Sequence, residues 1–202
     1  LKTTPIYDRL KARNAVFGAS YGLEVPLWFA AEGEEPIEKV TYSRSNAFER
    51  IKAECKSVRD GVGLTETSSF AKYEVTGPDA ESWLSHMLAN KMPKTGRLTL
   101  APMLNPQGKL IGDFTVGKLS EDRFFIFGSG VAQQYHMRWF ERHLPEAGVS
   151  IRAHDLGLCG LSLAGPKSRD VLAKLTDADL SNDGFKFMDF REIEVGMVPV
   201  LA

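Results

Sequence analysis

The stretch YEVTGPDAESWLSHMLANKM, residues 73–92, decides the fold, because the chain states it twice. Alternating residues run into Gly77-Pro78 and then into an amphipathic pattern. GLSLAGPKSRDVLAKLTDADL, residues 160–180, repeats that order, with Gly165-Pro166 standing 88 residues further on. Period-two alternation reads as a strand, and a proline suits a first helical turn, where its missing N–H has no partner to lose. Two related strand–turn–helix units in tandem are the natural inference.

Outward from that repeat, the chain alternates strands and helices. On the N-terminal side, Phe48, Ile51, Cys55, Val58 and Val62 form a stripe at helical spacing from Asn46 to Val62, closed by Gly61 to Gly63. Residues 1–50 carry breakers such as YGLEVPLWF and GEEPIEK, and read as an irregular lead-in with a short helix near Ile6 to Arg13. On the C-terminal side, RLTLAPML (97–104) and NPQGKLIGDFTVGKL (105–119) read as the two arms of a hairpin, followed by a strand at DRFFIFG (122–128). A helix from Ala132 to His143 carries Tyr135, Trp139 and Phe140 on a face suited to burial, VSIRAH (149–154) reads as a strand, and GFKFMDFREIEVGMVPVLA (184–202) as two strands about Gly196. Hairpin strands with helices on one side give an α+β architecture of antiparallel sheets, each unit roughly ferredoxin-like.

Composition narrows the function classes. The net charge of −1, from 25 basic and 26 acidic residues, supplies no field for a polyanion, so nucleic acid is not an expected partner. The first residues, LKTTPIYDRLKAR, are too charged for a secretory signal, and no run of about 18 apolar residues suggests a membrane span. Cys55 and Cys159 belong to no CxxC or cysteine–histidine cluster; each reads as a small buried or half-buried side chain in a reducing compartment. The four histidines, His86, His136, His143 and His154, lack ligand spacing, so no metal is expected. GSGVAQ (128–133) reads as a turn before a helix, since Gln133 takes the third glycine position of a dinucleotide loop. TETSS (65–69) reads as a polar loop, with no GxSxG around it. A missing initiator methionine and a C-terminus inside an apolar run, EVGMVPVLA, suggest a piece of something longer.

Asp113 is the residue with two readings. Alternation along the second hairpin arm places Ile111, Asp113 and Thr115 on one face and Gly112, Phe114 and Val116 on the other, where Phe114 and Val116 look like core. Asp113 then either faces solvent from a half-buried strand or lines a ligand cavity.

Taken together, the blocks resemble a known family: the folate-binding aminomethyltransferase domain of the glycine cleavage T-protein, and most of all its relatives behind an FAD domain in dimethylglycine and sarcosine dehydrogenases. TTPIYDRLKARNAVFGASYGLEVPLWF (3–29) resembles the lead-in from those dehydrogenases, and GLTETSSFAKYEVTGPDAESWL (63–84) resembles a D-x-S-x-F-x-K-x-x-V-x-G-P-D-A block. LNPQGKLIGDFTV (104–116) is similar to the family's glycine turn and strand, while YHMRWFERHLP (135–145), GPKSRDVLAKLTDADLSND (165–183) and FKFMDFREIEVG (185–196) resemble further dehydrogenase segments.

The resemblance implies a T-protein-like fold, present in part. It implies a lead-in from a preceding FAD-dependent oxidoreductase domain over residues 1–50, and a C-terminally truncated folate-binding domain over 51–202. It implies tetrahydrofolate as cofactor, an FAD domain of the same full-length chain as partner, and a location in bacterial cytoplasm or the mitochondrial matrix. The implied activity is capture of a formaldehyde-level carbon from an oxidised N-methyl amine, dimethylglycine or sarcosine, as 5,10-methylenetetrahydrofolate; alternatives are a stand-alone glycine cleavage aminomethyltransferase or a non-catalytic folate-binding regulatory module. Asp113 is the implied catalytic residue, and Leu100, Asp113, Phe114, Thr115, Phe125, Phe127 and Phe190 the implied folate-contacting set. Two departures stand out: Lys109 follows Gly108 where the family has a second glycine, and Leu23 stands where many relatives have tryptophan. A later Y-x-G-E-x-G-x-E block of the family would fall beyond Ala202, and the isolated fragment is expected to be inactive.

Overall fold

A computed structural model describes all 202 residues. In chain order the helices are α1 (Tyr7–Lys11), α2 (Phe48–Asp60), α3 (Ala80–Met87), α4 (Gln133–Arg142) and α5 (Ser168–Leu172). The strands are β1 (Ala15–Ser20), β2 (Leu23–Phe29), β3 (Gly63–Glu66), β4 (Ala71–Thr76), β5 (Arg97–Leu104), β6 (Leu110–Ser120), β7 (Arg123–Gly128), β8 (Ser150–Ala153), β9 (Leu161–Ala164), β10 (Glu192–Val195) and β11 (Val198–Leu201). The chain divides into two compact units: Leu1–Ser69 with Leu156–Val171, and Phe70–Asp155 with Leu172–Ala202.

The second unit carries a five-stranded antiparallel sheet in the order β5-β6-β7-β4-β8. Alternation sends Ala71, Tyr73 and Val75 of β4, Ala101 and Met103 of β5, Phe114 and Val116 of β6, and Phe124 and Ile126 of β7 into one core with Trp83 and Leu84 of α3 and Phe140 of α4. Phe114 and Val116 are therefore core, as the alternation predicts. Tyr73, fully buried, donates its hydroxyl to the Gln133 carbonyl at 3.1 Å. Burial, and then the Asp155 charge, push that hydroxyl's pKa well above its ordinary value, which keeps it a donor. The C-terminal hairpin closes on Gly196 and Met197, both at positive φ (56° and 67°), the two-residue turn that suits strand twist.

The first unit holds a second hairpin, β1–β2, turning at Tyr21 (φ 49°) and Gly22 (φ 84°). The irregular lead-in expected over residues 1–50 is thus partly a sheet, packed through a small cluster of Val16, Trp28, Ala30 and Ala47. Its signal was masked because Pro26 and Gly18 interrupt the alternation and a register shift falls between Val16 and Phe17. The helix expected near Asn46 to Val62 is α2, yet none of its residues is buried: Phe48 and Ile51 of the stripe are 37% and 41% exposed. Only the two-stranded sheets β1–β2 and β3–β9 and the short helices α1 and α5 accompany it in this unit, too little to cover a full stripe. Cys55 and Cys159 are both free and exposed, not buried as expected.

The repeat seen in the sequence is a backbone repeat. Gly77, between β4 and α3, has φ 125°; Gly165, between β9 and α5, has φ 120°. In the second unit the Asp79 N–H donates to the Gly148 carbonyl at 3.0 Å, and Gly148 leads into β8, the antiparallel neighbour of β4. In the first unit the Lys167 N–H donates to the Gly61 carbonyl at 3.0 Å, and Gly61 leads from α2 into β3, the antiparallel neighbour of β9. Both glycines are required twice over, by a φ that penalises a β-carbon and by a carbonyl standing where that carbon would go.

Candidate functional site

The helix-free face of the five-stranded sheet belongs to the alternate residues. Pro102 pairs with Asp113, Leu100 with Thr115, Thr115 with Phe127, and Gly117 with both Leu98 and Phe125. Asp113 and Leu100 are exposed, while Thr115 and Phe127 are half-buried. The Asp113 carboxylate has no hydrogen bond or ion pair within the chain. Further along the same face, opposite Thr115 and Gly117, the aromatic rings pack: Phe125 and Phe127 stack at 6.2 Å, and Phe190 meets their rings edge-on at 6.4 and 6.0 Å.

Phe190 comes from a non-strand segment held by local geometry. Its N–H donates to the Gly96 carbonyl, the Leu98 N–H donates to the Met188 carbonyl, and Asp189 pairs with Arg97. Gly117 makes room for the ring, because a β-carbon there would lie 2.5 Å from Phe190 Cε1.

Polar groups continue the face across β4 and β8. Glu74 accepts a hydrogen bond from Arg123 Nε at 2.7 Å and lies 2.9 Å from His154 Nε2, whose ring stacks on Phe125 at 5.7 Å. Burial pushes the Glu74 carboxyl up, but the hydrogen bonds and charges of Arg123 and His154 outweigh it and hold the pKa below its ordinary value. Arg123 also reaches Glu192 at 3.2 Å.

Six of the seven residues implied as folate contacts share this face: Leu100, Asp113, Thr115, Phe125, Phe127 and Phe190. Phe114 is the correction. It points to the opposite face, is 1% exposed, and packs among Tyr73, His136 and Phe140, so it cannot meet a ligand beside Asp113. Ile111 is a second correction. It was expected beside Asp113, but a register shift between Met103 and Leu104 makes it an extra residue on β6 and packs it against the core. On α4, Phe140 is buried and Trp139 packs against the core as expected, but Tyr135 is 45% exposed and His136 is buried in its stead. Sequence reasoning passed over Glu74, Arg123, His154, Gly117 and His136. Alternation places Glu74 opposite the core; nothing local marks the others.

Near the glycine turn, Asn105 Oδ1 accepts from the Gln107 and Lys109 N–H groups, and Gly108 takes φ 74°. Lys109 is outside the positive-φ region, so the turn needs one glycine and tolerates a lysine after it.

The open face of this antiparallel sheet thus carries an exposed carboxylate on the same side as the packed rings of Phe125, Phe127 and Phe190. Residues 6–202 match the GCVT N-terminal domain, and the chain belongs to that aminomethyltransferase family. It is similar to human mitochondrial dimethylglycine dehydrogenase, 32% identical over 205 residues, covering 100% of this chain and 23% of that protein. It is similar to 4-methylaminobutanoate oxidase (formaldehyde-forming) of Paenarthrobacter nicotinovorans, 30% identical over 196 residues, covering 96% of this chain and 24% of that one. In structure it is similar to the glycine cleavage system aminomethyltransferase T of Bartonella henselae, with a TM-score of 0.76, 26% identity, and coverage of 95% of this chain and 47% of that one. The chain thus spans about a quarter of the length of the curated relatives it matches. No helix is long and apolar enough to cross a membrane.

Proposed function

We propose that this chain is the tetrahydrofolate-binding, one-carbon transfer module of a longer enzyme that oxidises an N-methyl amine of the dimethylglycine or sarcosine type. The observation that carries it is the unpaired Asp113 carboxylate on an open sheet face that it shares with Thr115 and Phe127, Phe127 being packed edge-on against Phe190. That face fits a flat heteroaromatic ring, which gains from apolar walls with few polar groups fixing its orientation. Bound tetrahydrofolate supplies the nitrogens that accept a formaldehyde-level carbon. The chemistry is completed by a flavin domain elsewhere in the longer protein, which oxidises the amine to its iminium; the formaldehyde-forming activity in one relative's name is in keeping with that.

In the transfer, the carbon breaks its bond to the amine nitrogen and gains bonds to two folate nitrogens. Of the two displaced protons, one goes to the departing amine and one to solvent. Beside bound folate Asp113 would act in two ways: its fixed negative charge would stabilise the positive charge developing on the attacking nitrogen, and its carboxylate would take up from that nitrogen the proton that then passes to solvent. Half-buried Phe127, backed by the buried Phe190, offers apolar surface on the same face as the carboxylate, and Thr115 offers a hydroxyl there.

The test is Asp113→Asn in the longer protein, which keeps size and hydrogen bonding but removes the charge. Losing one preorganised electrostatic partner costs on the order of 10² to 10³ in rate. Amine oxidation should continue while free formaldehyde replaces 5,10-methylenetetrahydrofolate at saturating folate. A wild-type yield of methylenetetrahydrofolate would overturn the role.

A further inference from the structure

The strand that carries Asp113 is not regular. Asp113 pairs with Pro102 and Gly112 with Met103, but the next partner of Leu104 is Leu110, so Ile111 is the extra residue of a β-bulge two positions before the carboxylate. A bulge leaves one backbone carbonyl outside the ladder and re-aims the side chains that follow. Here that carbonyl has a dedicated partner: the Ile111 oxygen lies 3.0 Å from His136 Nε2, on α4.

His136 is built for this single contact. It is 3% exposed, its ring meets Phe114 edge-on at 4.8 Å, and Nδ1 is buried with no partner. A carbonyl can only accept, so Nε2 carries the proton and Nδ1 is a bare lone pair. Burial holds the ring's pKa below its ordinary value, against the Ile111 carbonyl, which favours the proton. Gly112 is the matching concession on the strand: a β-carbon there would lie 2.5 Å from Phe114 Cε2 and 3.3 Å from His136 Nε2. The contact requires a side chain that reaches through the core with one donor and little else.

We propose that His136 is a positioning residue for Asp113, and that its Nε2–H bond to the Ile111 carbonyl holds the bulge that sets where the carboxylate points. Without the donor, the bulged carbonyl is left facing an apolar core, which favours a straighter strand. Side chains on a strand change direction with register, so even partial straightening turns Asp113 away from its neighbours on the open face. The inference rests on Asp113 as the transfer residue, and it adds that the residue's aim is set from the far side of the sheet.

The experiment compares His136→Leu, His136→Gln and Asp113→Asn in the full-length parent protein, measuring amine oxidation, half-saturation by tetrahydrofolate, and methylenetetrahydrofolate formed per amine oxidised. Leucine fills the space without a donor; the glutamine amide can donate to the same carbonyl and cannot ionise. Misplacement of a reacting group by about 1 Å costs up to about 100-fold. His136→Leu should therefore lower the transfer yield by about 10- to 100-fold at saturating folate with amine oxidation unchanged, and His136→Gln should restore most of it. A low yield in Asp113→Asn with a wild-type yield in His136→Leu overturns the positioning role alone. Equal losses in His136→Leu and His136→Gln reduce His136 to packing and overturn it as well. A wild-type yield in Asp113→Asn removes the role of Asp113, and the positioning role with it. Should His136→Leu fail to fold, nitrogen NMR of the wild-type protein decides: protonated Nε2 with bare Nδ1 is expected, and a proton on Nδ1 overturns the proposal.

Discussion

Gly117→Ala makes the packing of Phe190 measurable. Gly117 lies on β6 between Leu98 of β5 and Phe125 of β7, and a new β-carbon would stand 2.5 Å from Phe190 Cε1 and 2.9 Å from Leu98 Cδ2. Leu98 can rotate away. The Phe190 ring cannot do so freely, because it is 3% exposed and lies against Phe125 and Phe127. Overpacking of this kind costs typically about 1–3 kcal/mol. In a Phe190→Ala background the obstacle is gone, and replacing a strand-interior glycine with alanine is then worth about 0.5–1 kcal/mol in the stabilising direction. The sign of one substitution should thus reverse between the two backgrounds, a coupling of about 1.5–4 kcal/mol from the sum of those ranges. Native-state hydrogen exchange of the β6 and β7 amides reads the free energy of this unit directly. The same cost for Gly117→Ala with and without Phe190 would show that the ring does not sit on the glycine, and the aromatic wall of the proposed site would lose its support.

Phe114→Ala should destabilise the second unit by about 3–5 kcal/mol as a core truncation, whereas Leu100→Ala should stay within about 0.5 kcal/mol in stability and act on folate affinity instead; calorimetric unfolding and binding separate the two. Gly77→Ala combines backbone strain of about 1–3 kcal/mol with collision against the Gly148 carbonyl, so poor soluble yield or a loss at the upper end of that range is expected, and a melting temperature near wild type would argue against the strained turn. Glu74 has a folded pKa depressed below its unfolded value, so its contribution is complete above the unfolded glutamate pKa of about 4.3 and is lost as pH falls through the lower folded value. The stability gap between wild type and Glu74→Gln should accordingly shrink on acidification below about pH 4.3, and a gap constant with pH would refute the Arg123 and His154 pairing.

How much could be read in advance depended on whether the cause was local. The hairpin arm RLTLAPML coincides with β5, and the helix expected at Ala132 to His143 contains α4, since alternation and helical spacing are properties of neighbouring residues. The β1–β2 hairpin was hidden for the converse reason: its strands carry Gly18 and Pro26, and its pairing is long-range information that a broken alternation does not display. Ile111 was assigned to the wrong face by one bulge, which changes side-chain direction without leaving a residue type behind as a marker, whereas alternation had placed Phe114 in the core and only the resemblance put it among the folate contacts.

By itself, then, the sequence determined the α+β class, the duplicated strand–Gly-Pro–helix unit, and the place of Asp113 on the arm after a glycine turn, because each follows from periodicity and from the conformational demands of glycine and proline. Tertiary structure alone decided what surrounds that aspartate. Phe190 reaches the sheet from 73 positions beyond Gly117, Glu74 finds Arg123 and His154 across strands, and His136 comes up from α4 to hold the Ile111 carbonyl. These meetings depend on strand order and on close packing in three dimensions, and no local pattern encodes which distant side chain fills a given space.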